Sequence, residues 1–214
     1  MLLRTVVLAL AMPGLLALTL WAESGGTFDA KRRAQLESGN AAERGDVLAW
    51  LAEHGSQSDT AAVILRLRDA DGRMRVLAEQ TLWSMWMHSG NNQADAWLGE
   101  GSALMAAGLL DAAVAAFTRI VEHVPAFAEG YNKRATALYL RGDFEASLID
   151  IADTLKRNPS HFGALSGAGL CLMKLGRPEE ALFYFDRALA VNPNLEGIKA
   201  MAEELRTGRQ RSRA

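Results

Sequence analysis

Three glycines, Gly108, Gly142 and Gly176, stand 34 residues apart, and three prolines, Pro125, Pro159 and Pro193, keep the same interval. Leu104, Leu138 and Leu172 repeat with them, as do the acidic residues Asp111, Glu145 and Glu179. Four registers agreeing over three copies leave little room for coincidence. A repeat of this length is one supersecondary unit. It cannot bury its apolar face alone, so the copies stack into a solenoid. A recurring glycine suits the end of a helix, where a left-handed residue is needed. The prolines suit helix stops, with Asn158 and Asn192 just before Pro159 and Pro193 pushed out of helical geometry. Pro178 suits the start of a helix, where its missing N–H costs nothing.

Each copy carries the same constellation. Residues 94–127 give Trp97, Gly101, Leu104, Ala113, Phe117 and Pro125. Residues 128–161 give Tyr131, Ala135, Leu138, Ser147, Ile151 and Pro159, and residues 162–195 give Leu165, Gly169, Leu172, Ala181, Phe185 and Pro193. This pattern resembles the tetratricopeptide repeat (TPR) family, with Leu in place of the second aromatic and a looser middle copy at Ser147 and Ile151. The resemblance implies an all-α fold, a right-handed solenoid of helical hairpins, without catalysis or cofactor. Small residues, Gly101, Ala135 and Gly169 with Ala113, Ser147 and Ala181, fall where the paired helices must approach closely.

The flanks read as helices outside the 34-residue register. After Pro193, Leu195, Ile198, Ala202 and Leu205 share one face, predicting a capping helix to about Arg206 (196–206) with a polar outer side. Residues 207–214 are expected to be a basic flexible tail. In 25–93, Asn40 is placed to cap a helix holding Val47, Leu48 and Leu51. The segment from Ala61 to Trp86 resembles a HEAT-type repeat, through Asp69-x-Asp71, Met74-Arg75 and the apolar helix around Ala78. That resemblance implies a bond between Asp69 and Arg75 across the turn, and a hairpin that continues the stack and caps its N-terminal end. Trp83 and Trp86 on its last helix are either a joint onto the first repeat or a secondary contact for a partner or membrane surface.

Residues 5–22 carry no charge behind Arg4, whereas the whole chain is 22% charged with a formal charge of −2. Eighteen apolar residues interrupted by Pro13-Gly14 fit either an export signal ending near Ala22–Ser24 or an N-terminal membrane anchor (1–24). Both place the rest of the chain outside the cytoplasm, in a bacterium the periplasm. No cysteine near this segment supports a lipid anchor; the lone Cys171 lies inside a predicted helix and reads as a small buried residue. The near-neutral balance argues against nucleic acid as a partner.

Catalytic and metal signatures fail on spacing. His54, His88, His123 and His161 form no i, i+4 ligand pair, so they read as surface or capping residues. Asp69-Ala70-Asp71-Gly72 lacks the third ligand and the later glycine of a calcium loop. The glycines of 163–170 fall inside a predicted helix, where they serve close packing rather than a phosphate.

In the TPR family the first helix of each unit lines a concave groove. The matching positions here are Leu98, Ser102, Met105, Asn132, Thr136, Tyr139, Ser166, Leu170, Met173 and Lys174. Asn132 is the candidate for a backbone hydrogen bond, and Met105, Tyr139 and Met173 for an apolar stripe. Some members clasp a C-terminal carboxylate with basic and Asn residues; the matching places hold Leu98, Ser102, Gly163 and Gly167, so that clamp is absent. The resemblance therefore implies a scaffold or adaptor that binds an extended peptide or an amphipathic helix, and the apolar head places it in the cell envelope. The alternative is a structural subunit of an envelope complex, docking through its convex face and the Trp-rich N-terminal helices.

Overall fold

The computed structural model describes residues 27–211, with side chains through 208. The apolar head and the last residues of the basic tail lie outside the described residues. No helix of the described residues is long and apolar enough to cross a membrane.

The N-terminal module comprises α1 (Ala30–Ser38), α2 (Ala41–His54), α3 (Thr60–Arg66) and α4 (Gly72–Met87), with a short 3₁₀ turn before α3. Asn40 caps α2 in a reciprocal box with Glu43, satisfying donors that the helix itself leaves open. Val47, Leu48 and Leu51 are buried against Val63, Leu67, Ala78 and Leu82. Asp69 and Arg75 are bonded across the turn, as the HEAT resemblance implies, but through the Asp69 backbone carbonyl at 2.8 Å rather than its carboxylate. Arg75 also donates to the backbone carbonyl of Ala70. The Asp69 carboxylate turns inward to Arg44 of α2 at 3.0 Å and also accepts the Asp71 N–H. The Asp69 carboxylate is thus drawn to its own turn and to Arg44 and Arg66, on the side away from the Arg75 guanidinium.

Three hairpins follow: α5 (Asn92–Ala106) with α6 (Leu110–His123), α7 (Ala128–Arg141) with α8 (Phe144–Arg157), and α9 (Phe162–Lys174) with α10 (Pro178–Val191). Gly108, Gly142 and Gly176 all have positive φ, where a side chain would be strained, and each turns its hairpin. A Cβ at Gly101 would come 2.5 Å from the Phe117 ring, so hydrogen at that position is what allows α5 and α6 to close. The final helix, α11 (Glu196–Arg211), runs past Arg206, where the apolar periodicity ends, and buries Ala202 against Leu172, Ala181 and Phe185.

The N-terminal module does not extend the stack at its front. It lies along the edge formed by the inter-repeat loops. In the turn before α4, Arg68 donates to the carbonyls of Ala190 and Val191, and Leu67 O accepts from Asn194. Farther along, Glu79 accepts from Asn192 at 3.0 Å. Nearer its end, Trp86 stacks on His161 with ring centroids 4.4 Å apart, and Met87 reaches the core of the first repeat. So α4 passes the third, second and first repeats in that order. Phe162, Val191 and Leu195 complete the module's own core, which its short helices cannot close alone. The tryptophan joint is therefore made mainly with the start of the third repeat rather than with the first. Trp86 is 4% exposed and unavailable as a contact surface.

Candidate peptide-binding groove

The first helices α7 and α9 diverge enough to leave a hollow of about 290 Å³ between them. Asn132, Thr136 and Tyr139 line it from α7, and Gly163, Ser166, Gly167 and Leu170 from α9. Ser147 and Ile151 of α8 and Cys171 close its back, and Leu140 stands at the edge, 54% exposed. None of the lining residues is charged. The sequence already held the cause of the space. Where the outer repeats carry Phe117 and Phe185, the middle one carries the smaller Ile151.

The polar atoms around the hollow are partly spent. Thr136 Oγ1 donates to Asn132 O and Ser166 Oγ to Phe162 O, leaving their oxygens as acceptors. Asn132 is 8% exposed, and its Nδ2 donates to both carboxylate oxygens of Glu129. Its amide donor is thus committed within the protein, and only Oδ1 remains for a ligand. Ser147 Oγ bonds Ala135 O, which compensates for a polar residue at a close-packing position. Cys171 is buried and donates to Ser147; burial pushes its thiol up, away from the reactive thiolate.

Five of the ten residues expected on the groove, Asn132, Thr136, Tyr139, Ser166 and Leu170, converge on this hollow. Leu98 does not belong with them. It is 2% exposed, packed with Ala94, Phe117 and Ile120 inside the first repeat. Met105 is half-buried against the same core, while Ser102 bonds back to Leu98 O. Met173 faces a separate hollow beside Leu182, Met201 and Leu205, and Lys174 is exposed. Met105, Tyr139 and Met173 therefore sit in different surroundings rather than along one stripe.

The edge of the groove holds what the sequence did not reveal. Trp83 of α4 abuts Gly163, where an added Cβ would come 2.5 Å from Trp83 Cη2. The place that the TPR resemblance assigns to a clamp residue is thus filled from the N-terminal module. Beneath it, His161 Nε2 meets Glu129 Oε2 at 2.8 Å, with both side chains fully buried. His161 Nδ1 accepts the Ala164 N–H, so it caps α9 and carries its proton on Nε2. Among the described residues, no group of three or more His, Cys, Asp or Glu is arranged to hold a metal ion.

The tetratricopeptide repeat family profile matches residues 98–153 and 164–195. These segments are tetratricopeptide repeats. A TPR repeat-containing protein of Rhizobium etli is 35% identical over 85 residues, 38% of this chain and 42% of that protein. This chain thus spans less than half of that relative. The fold of the first TPR of Spaghetti (RPAP3), solved bound to the HSP90 peptide SRMEEVD, matches 54% of this chain and 92% of its own, with TM-score 0.53 and 22% identity. The TPR2B domain of yeast Sti1, in its pHsp70 complex, matches 55% and 99%, with TM-score 0.52 and 21% identity. At such identity the likeness to these two TPR domains is one of fold.

Proposed function

We propose that this TPR protein is a non-catalytic interaction scaffold. It holds a partner's extended peptide or amphipathic helix against its first helices and seats one uncharged side chain between α7 and α9. The observation that carries this reading is the hollow of about 290 Å³, walled by neutral residues at the junction of two repeats. A charged side chain would be desolvated there without a counter-charge, whereas an apolar one gains burial. The peptide complexes of RPAP3 and Sti1 support peptide capture as the kind of activity. Gly163 and Gly167 lack the groups that grip a terminal carboxylate, which favours an internal segment. The uncharged head, 5–22, supports a cell-envelope location, by export or by anchoring.

A second reading, a structural subunit docking through the opposite face, draws on Ile149 and Phe183. They stand one repeat apart on second helices and are 67% and 57% exposed. A photocrosslinker placed in cells at Tyr139, and separately at Ile149, separates the two. The scaffold reading expects a discrete adduct from Tyr139. Adducts from Ile149 alone would overturn it in favour of the second reading.

A further inference from the structure

Where α4 crosses the loop between the first and second repeats lies a separate hollow of about 240 Å³. Its walls include the turn at Gly55–Gln57, Trp86, Phe127 and Asn158. Two of these walls carry a buried donor without a partner among the described residues, Trp86 Nε1 and Asn158 Nδ2. The two residues are only 4% and 2% exposed. Buried donors are nearly always hydrogen-bonded, so two on one hollow call for an acceptor.

The next repeat indicates which acceptor. Asn192 stands 34 residues after Asn158, and each ends a second helix. Each turns its Oδ1 onto the backbone N–H two residues on, at 3.2 Å for Ser160 and 3.0 Å for Asn194. That contact fixes both amides the same way round. Asn192 Nδ2 then donates to a carboxylate, Glu79 Oε2. Seven residues farther along α4, two helical turns, Trp86 takes the corresponding place and offers a donor instead. The helix α7 also begins on this hollow, through Ala128 and Glu129, and its N-cap Phe127 has no side-chain acceptor. Its positive end favours an anion. The charges lining the hollow are committed elsewhere: Glu129 to His161, Asn132 and Lys133, and Arg157 to Asp153 and Tyr131.

We propose that this hollow binds a carboxylate, held between Trp86 Nε1–H and Asn158 Nδ2–H at the start of α7. The carboxylate belongs either to a small free acid or to a peptide, which present the same oxygens. The site is separate from the groove between α7 and α9, and its ligand is independent of the partner seated there.

The full-length protein, uniformly labelled with ¹⁵N, tests this by titration with succinate. The Trp86 indole resonance, assigned by its loss in Trp86→Phe, is expected to shift saturably. Succinamide, and sodium chloride at matched ionic strength, are expected to leave it in place. Asn158→Asp keeps the Oδ1 turn but replaces the donor with a carboxylate, and should weaken succinate binding by about tenfold or more. If that variant folds poorly, Trp86→Phe keeps the aromatic packing and should weaken binding similarly, read at the Ala128 backbone amide. Two peptides identify the source, one with only a terminal carboxylate and one with only a Glu side-chain carboxylate; a shift from either supports the site. Absence of any saturable shift with succinate or the peptides, or an equal response to succinamide or chloride, would overturn it.

Discussion

His161 donates from Nε2 to Glu129 Oε2 over 2.8 Å, joining the ends of two successive first helices where no solvent reaches either side chain. The same ring caps α9 through Nδ1 and stacks on Trp86. One side chain thus ties the second repeat, the third repeat and the N-terminal module together. His161→Ala would leave the Glu129 carboxylate buried with only Asn132 and the half-exposed Lys133. Losing a buried hydrogen bond from a neutral imidazole to a carboxylate costs about 1.5–3 kcal/mol, so urea unfolding should show a midpoint lowered accordingly. A loss below about 1 kcal/mol would mean that water replaces the imidazole and that the joint opens readily to solvent.

Gly163 and Gly167 lie one turn apart on α9, yet their surroundings differ. A Cβ at 163 meets Trp83 at 2.5 Å, whereas one at 167 meets only Ile151 Cδ1 at an ordinary 3.5 Å. Gly167→Ala should raise stability by up to about 1 kcal/mol through helix propensity. Gly163→Ala carries the same propensity gain but should lower stability, because Trp83 must shift. Thermal unfolding of the two variants distinguishes them by opposite signs.

The contact between α4 and the last inter-repeat loop makes a third expectation. Asn192 is fully buried, and Glu79→Ala would orphan its Nδ2. The cost is about 1–3 kcal/mol, while Glu79→Gln, which keeps an acceptor oxygen, should cost less. Hydrogen exchange should quicken in α4 and around residues 190–196 together in Glu79→Ala. Exchange confined to α4 would show that the module and the third repeat open independently.

The features written in the sequence were local or periodic. Gly108, Gly142 and Gly176 take the left-handed geometry that their spacing predicted, and Asn40 caps the helix it precedes. The hollow in the groove was foreshadowed too, by Ser147 and Ile151 departing from the motif of the outer repeats. The course of α4 was not legible. It is fixed by contacts such as Trp83 with Gly163 and Arg68 with Val191, between residues that share no repeat register and lie far apart in the chain. A spacing argument sees neighbours along a helix or one repeat away, and nothing in it distinguishes a hairpin stacked in front from one laid along the edge. His161 carried a faint signal, a polar residue at a helix start. Its burial followed only once Trp86 was known to cover it. Leu98 lies in the core rather than on the groove for a related reason, since a first-helix position faces the groove only where a neighbouring helix leaves it uncovered.

The middle repeat's hollow can be closed by giving it the residues of its neighbours. In the first repeat Phe117 lies on Gly101, whereas in the second Ile151 lies on Ala135. Ile151→Phe alone forces a ring against the Ala135 methyl and should cost about 1–3 kcal/mol as overpacking. Ala135→Gly alone should cost about 1 kcal/mol from helix propensity, with more for the space it opens. The double variant restores the Gly–Phe pair, so its total cost should fall below the sum of the two by at least about 1 kcal/mol, measured as a double-mutant cycle in urea. The same ring would occupy the space between α7 and α9. Crosslinking from Tyr139 to the partner should then fall in the double variant while its helical circular dichroism is retained. Undiminished crosslinking in a protein that shows the coupling would mean that the partner does not use the hollow.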